Sequence, residues 1–268
     1  MAAKKTDWKL ELSYIGKLLA INMKSAASLR AAYAIRSAFT LINHAIYLCL
    51  WVIIFHAVPS IGGWQIQHIL LAYGLGILIW GILSFFAYGL RTLPKQIDHG
   101  ALDVYLTQPR PVLVNVALGN TQTAGLPEIL LGLIVLLIAG HITSVSIPML
   151  LFLGLCSAIV FCSAVLAYGS LGFWLKNYHS SAEELYFNIF IMATRPEGVF
   201  HNWMAILIFT VMPVAFMTHV PLRVLLEHDM IALAITLAGT LTCSILSYKI
   251  FLTGLRHYES GSRFGVHG

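Results

Sequence analysis

Ile147–Leu175 reads IPMLLFLGLCSAIVFCSAVLAYGSLGFWL and contains no charged side chain. A helix needs roughly 20 apolar residues to cross a hydrocarbon core of about 30 Å, and this run exceeds that length. In lipid every backbone amide and carbonyl must be satisfied within its own segment, so the run is predicted to be helical whatever its content of β-branched residues. Four further runs meet the same test: Ser37–Val58, Gln67–Gly89, Leu118–Ile142 and Met230–Leu252.

Composition agrees with these runs. The 268 residues have a mean hydropathy of +0.82, with 59% hydrophobic and only 10% charged residues. An ordinary soluble domain carries about 25% charged residues. Polar groups this sparse could not cover the outside of one soluble core. The net charge of +5 does not indicate nucleic acid, because the basic residues flank apolar runs instead of forming a patch with stacking aromatics. Cys49, Cys156, Cys162 and Cys243 all lie inside apolar runs and form no Cys-x-x-Cys pair, so they read as small hydrophobes. About 36 polar and amphipathic residues precede the first apolar run, a pattern unlike a cleavable signal peptide.

The region from Glu183 to Val220 holds a sixth span in either of two arrangements. In one, Glu183–Thr194 is an interfacial helix and Trp203–Val220 is a span kinked at Pro213. In the other, the span runs from about Ala182 to Gly198, and residues Asn202–Val220 form a re-entrant hairpin bent at Pro213, which requires shielding by protein or a cavity. Both give six crossings. Lys and Arg concentrate before the first span, after the second, after the fourth (Lys176 and, less firmly placed, Arg195) and at the C-terminal end, whereas the alternating loops hold only Arg223. The basic side is the cytoplasm, which places both termini inside. The expected fold is therefore all-α, a six-span membrane bundle, with residues 1–36 as an N-terminal segment and 37–268 as the membrane domain.

Trp8, Leu12, Ile15, Leu19 and Met23 recur at three- and four-residue spacing, opposite Lys9, Ser13, Lys17 and Lys24. This is a basic amphipathic helix that lies in the membrane interface, packs on the protein's own cytoplasmic ends, or does both. Thr6 or Asp7 would cap it. In the loop after the second span, Ile97, Leu102, Tyr105 and Leu106 share one side of a short helix that Pro94 starts and Pro109 stops.

Catalytic and nucleotide motifs are missing. Gly16-Lys17-Leu18 lacks the first glycine and the hydroxyl residue of a phosphate loop, and no His-Glu-x-x-His or Gly-x-Ser-x-Gly occurs. His44, His56 and His68 are spaced twelve apart, which does not bring them together on one helix, and with His141, His219 and His228 they read as polar-edge residues. Glu128 lies inside the third span if that helix starts near Leu118. If the helix starts later, Pro127 falls in the first turn and Glu128 is an N-terminal carboxylate favoured by the helix dipole. Ala72 and Gly76, and Ala164, Ala167, Gly169 and Gly172, permit close helix packing.

Three stretches carry a resemblance that extends over nearly the whole chain. Asp98-His-Gly-Ala-Leu-Asp103-Val-Tyr-Leu-Thr-Gln-Pro-Arg-Pro111 is similar to the Gly-x-Leu-Asp-x-Tyr-Leu-x-x-Pro loop of a subfamily of ABC-2 type permeases, the membrane subunits of ATP-binding-cassette exporters. Pro196-Glu-Gly-Val-Phe200, Trp203 and Met212-Pro213 resemble the segment before their last span, and Arg256-His-Tyr-Glu-Ser-Gly-Ser-Arg263 resembles their tail. The resemblance implies a non-enzymatic permease subunit in the cell (inner or plasma) membrane, with ATP and Mg bound on a separate ATPase chain. It further implies a second permease chain, identical or related, and amphipathic or bulky cargo such as lipids, glycolipids, polysaccharides or drugs. The loop around Asp98–Gln108 would be the coupling helix that docks on the ATPase. Ile97, Leu102 and Tyr105 would be apolar anchors there, and Asp98, Asp103 and Arg110, near Gln108, would supply charge complementarity. Pro196 and Pro213 would shape the pathway. An ion-coupled carrier, expected to show several buried ionisable residues, and a non-transporting membrane scaffold are the alternative classes.

Overall fold

The computed structural model describes residues 8–28, 30–143, 145–200 and 203–258. Thr6 and Asp7, Asn202 and the tail residues 259–263 lie outside the described residues, as do the side chains of Trp8 and Leu12. The described residues form helices joined by short non-helical segments, with no strand beyond an isolated bridge between Ile61 and Trp64. The helices are α1 (Trp8–Ser28), α2 (Arg30–Ala57), α3 (Ile66–Phe86), α4 (Tyr88–Arg91), α5 (Leu93–Asp98), α6 (Asp103–Leu106), α7 (Val112–Leu118), α8 (Gly125–Thr143), α9 (Ile147–Gly169), α10 (His179–Ala193), α11 (Trp203–Thr210), α12 (Val220–Glu227) and α13 (Met230–Arg256). Four of them, with α9 extended to Phe173, are long and apolar enough to cross a membrane: α2, α3, α9 and α13. The apolar helix α8 is shorter.

Helix α3 is the axis of the molecule. It is hydrophobic all round, and fourteen of its residues are buried, as expected of a helix with neighbours on every side. Its closest partner is α8. A Cβ placed on Gly81 would stand 2.7 Å from the Ile129 amide nitrogen, one on Gly132 2.6 Å from that of Leu78, and one on Gly125 2.7 Å from the Gly81 carbonyl oxygen. Gly74 faces Leu136 in the same way. Two glycine pairs seven residues apart, one on each helix, thus bring the two backbones together, the packing that helices use where lipid removes the hydrophobic drive for association. Gly76, singled out in the sequence for close packing, meets Thr194 and Phe190 instead.

Ends of elements follow from local chemistry. Asp229 caps α13 by accepting from the amides of Ile231 (2.8 Å) and Ala232 (3.1 Å). The His68 Nδ1 accepts from the Gln65 amide at 2.8 Å and closes the start of α3. His228 ends α12 in the left-handed region at φ 53°. The expected third span is shorter than its apolar run: Leu118 ends α7, residues 119–124 are non-helical, and α8 begins at Gly125. Glu128 therefore lies in the first turn of α8, as the later-start reading has it, and is 7% exposed.

Contacts sort the helix ends into two sets. One holds α4–α7, the ends of α9 and α13 at Phe173 and Gly254, and the start of α10. The other holds residues 58–65, where Gly62 (φ +56°) lies backbone to backbone with Gly198, together with Arg195, His219 and Trp64. Helix α10 starts beside Arg91 and Asp98 in the first set, and the chain after it reaches Gly62 in the second. Residues 203–227 then double back on themselves: α11, a reversal at Val211–Pro213, a π-helical turn over Ala215–His219, and α12. The reversal lies against α9 and α13, where the Tyr168 hydroxyl donates to the Val211 carbonyl at 2.6 Å. The bend falls at Pro213, and the contacts put Arg195 at the Trp64 end instead of with the basic loops.

Candidate functional site

The segment from Arg91 to Pro111 forms a platform across the first set of helix ends. Its helix is broken in two, not continuous from Pro94 to Pro109. Gly100 adopts φ +69°, and the Ala101 amide reaches back to the Gln96 carbonyl at 2.9 Å, a glycine-terminated helix end that only a residue tolerant of positive φ closes at low cost. As a result Ile97 and Leu102 turn inward. Both are buried in the chain's own core, with Leu93, Leu166 and Phe173. They hold the platform and offer no surface, a correction to their expected role as outward anchors. Tyr105 is half-buried against Gly119, while Val104 (62% exposed) and Leu106 (42%) face outward.

Three ties bind the platform to the long helices. The Arg91 Nη2 donates to the Glu183 Oε2 of α10 at 2.5 Å, and its guanidinium lies 4.5 Å over the Trp80 ring of α3 and 5.4 Å over Tyr88. A cation over an aromatic face contributes about 0.5–2 kcal/mol, the upper end when desolvated, and the Arg91 side chain is only 13% exposed. Asp98 Oδ2 stands 3.5 Å from the His179 Nδ1 at the first residue of α10. Gly89 takes the backbone of α7 so closely that any side chain would strike the Val116 carbonyl, and Gly172 lies against Pro94.

The amphipathic helix α1 lies across α7. The Tyr14 hydroxyl donates to the Asn115 Oδ1 at 3.3 Å, and the Asn22 amide donates to the Thr121 Oγ1 at 2.9 Å and the Leu118 carbonyl at 3.3 Å. The Arg110 guanidinium sits 3.3 Å over the Tyr14 ring. Burial, then neighbouring Tyr14, raise the Tyr105 phenol above its ordinary pKa. Of the residues singled out in the sequence, Asp98, Asp103, Tyr105, Gln108 and Arg110 all lie on this platform. Pro196 and Pro213 lie elsewhere, the first buried at the Trp64 end and the second at the hairpin reversal. Sequence reading missed Arg91–Glu183, Tyr14 and Asn22; the available signal was that Arg91 and Glu183 are charges at the edges of apolar runs.

Residues 41–262, most of the chain, match the model of the ABC-2 family transporter proteins. The chain belongs to the ABC-2 transporter family. No curated protein and no solved structure matches it. An ABC-2 family chain is a membrane-embedded permease subunit of an ABC transporter, the kind of subunit that associates with an ATP-binding chain. Helix α1 precedes the matched residues. Among the described residues no group of three or more His, Cys, Asp or Glu is placed to hold a metal ion. Within this ABC-2 member His44 is not an edge residue: its Nδ1 lies 2.8 Å from the Tyr73 hydroxyl and joins α2 to α3.

Proposed function

We propose that this chain is the permease of an ATP-driven exporter of amphipathic or lipid-like cargo, and that force from ATP hydrolysis on a separate subunit enters through the α5–α6 platform. The observation that carries this reading is the platform's two-sidedness. Its underside is tied to α3, α9 and α10 by Arg91–Glu183, Ile97, Leu102 and Gly172, while Val104 and Leu106 stand exposed on the other side. A push on such a surface is transmitted to the long helices instead of being absorbed in a loop.

In this reading α2, α3, α8, α9, α10 and α13 are six crossings, with the platform and both termini in the cytoplasm, in the cell membrane. Residues 203–227 are a re-entrant hairpin entered from outside, its reversal resting against α9 and α13 and its first arm left open at Trp203 and Ile206. ATP and Mg belong to the ATPase chain. A second permease chain, the same or a related one, completes the pathway. The exposed apolar side chains of α2, among them Phe39 (70% exposed) and Ile53 (67%), supply surface for that chain or for lipid. The scarcity of charge along the long helices fits apolar cargo. The test is co-purification in mild detergent. The wild-type chain should bring down an ATP-binding subunit, and Val104→Glu with Leu106→Glu should release it while leaving the chain monodisperse. Full retention of the ATPase by that variant would overturn the coupling assignment.

A further inference from the structure

Glu128 is a buried carboxylate that nothing answers. It lies in the first turn of α8, is 7% exposed, and its Oε2 has no hydrogen-bond partner. Folded chains pair nearly every buried polar atom, and an ionised carboxylate left alone away from water is costly. Two more unpartnered atoms lie on the neighbouring stretch, the Ser84 Oγ and the Arg91 Nε, both buried.

Packing brings these three groups together. A Cβ on Gly81 would stand 3.0 Å from the Glu128 Cβ, and one on Gly125 3.0 Å from the Ser84 Cβ, so α8 lays the carboxylate beside the last turns of α3. The Arg91 guanidinium covers Trp80 in those same turns at 4.5 Å. At about 100° of helix rotation per residue, Ser84 projects between Trp80 and Gly81, that is, between the cation and the carboxylate. Arg91 is near enough for its charge to act on Glu128. Its Nη2 is spent on Glu183, but a guanidinium carries five donors in a rigid fork, and its Nε–H remains uncommitted.

The two carboxylates differ in what they lose when left alone. Glu183 is 41% exposed and water solvates it, whereas Glu128 is cut off from water. Stranding Glu128 opposes the arrangement seen here, and deeper burial of the guanidinium opposes the alternative, the opposition that a two-state element needs. We propose that Arg91 has two carboxylate seats, Glu183 on α10 in this structure and Glu128 on α8 in a second state, with the Ser84 hydroxyl between them. The exchange is a latch. It releases the platform from α10 as it ties it to α8, and the second seat is reached only with the platform displaced toward α8. The latch stands apart from the exporter reading; only its use in an ATP-driven cycle rests on that reading.

The test uses the full chain in nanodiscs of phosphatidylethanolamine and phosphatidylglycerol, with no ATPase present. Its four cysteines are replaced by alanine. Nitroxides at Thr107→Cys on the platform and Ser181→Cys on α10, both exposed sites, report their separation by pulsed EPR. Glu183→Gln should add a second, displaced distance, and Glu128→Gln made on top of it should remove that distance. Denaturant unfolding of the unlabelled chain gives an independent reading. The coupling between Arg91→Leu and Glu128→Gln should rise from at most about twofold in the unfolding equilibrium beside native Glu183 to about tenfold in the Glu183→Gln background. A single distance in every variant, or the same coupling in both backgrounds, would overturn the proposal. A second distance seen in a chain with which no ATP-binding subunit co-purifies would sink the exporter reading alone.

Discussion

At the scale of single residues, glycines and one guanidinium hold the bundle. A side chain on Gly132 would meet the Leu78 backbone, which cannot rotate away, whereas Gly16 in α1 has nothing within 4 Å of such a position. Gly132→Ala should therefore cost about 1–3 kcal/mol by forcing α8 off α3, while Gly16→Ala should be neutral or up to about 1 kcal/mol stabilising through helix propensity. Thermal melting of both variants in one detergent checks the opposite signs. Glu183→Ala removes the carboxylate from an Arg91 that is 13% exposed, but Glu183 itself is 41% exposed. Solvent screening thus reduces the 3–5 kcal/mol of a fully buried pair to about 1–2 kcal/mol. Adding Arg91→Leu to Glu183→Ala should cost less than the two changes summed, because the variant then leaves no unpaired cation, and a double-mutant melting cycle measures that difference.

At the scale of elements, the described side chains of α1 hold it to α7 and its flanks by a few polar ties. Tyr14→Ala with Asn22→Ala should free it, seen as faster tryptic cleavage at Lys17 and Lys24 with the long helices still protected; unchanged cleavage would mean the ties do not hold it. What the sequence made legible, and what it hid, also divides by element. Long apolar runs mark α2, α3, α9 and α13 because length alone distinguishes a span from a core helix. The run expected from Leu118 to Ile142 breaks at residues 119–124, where Asn120, Thr121, Gln122 and Thr123 are polar, a signal that the length of the whole run hid. Hydropathy was equally blind between the two arrangements of residues 183–220. Contacts bring the ends of this region together: Thr218 donates to the Ala193 carbonyl and His219 lies against the Arg195 carbonyl, so the chain returns beside the end of α10 before α12. On the platform the residue types were right but their direction was not. Gly100 turns Ile97 and Leu102 inward, and only a backbone reversal at a positive φ reveals that.

At the scale of the whole molecule, the platform is rigid beneath, open above, and joined through α3, α9 and α10 to the far end where the hairpin and Trp64 lie. Under the proposed reading, a small displacement at Val104 would in this way reach helices that line both ends. The most direct test places a photoreactive amino acid at Val104 of the assembled transporter in native membranes. The account predicts a covalent adduct with the ATP-binding subunit whose yield changes between nucleotide-free and ATP-bound conditions. No adduct with that subunit, or labelling of Val104 by an impermeant reagent added from outside, would contradict it.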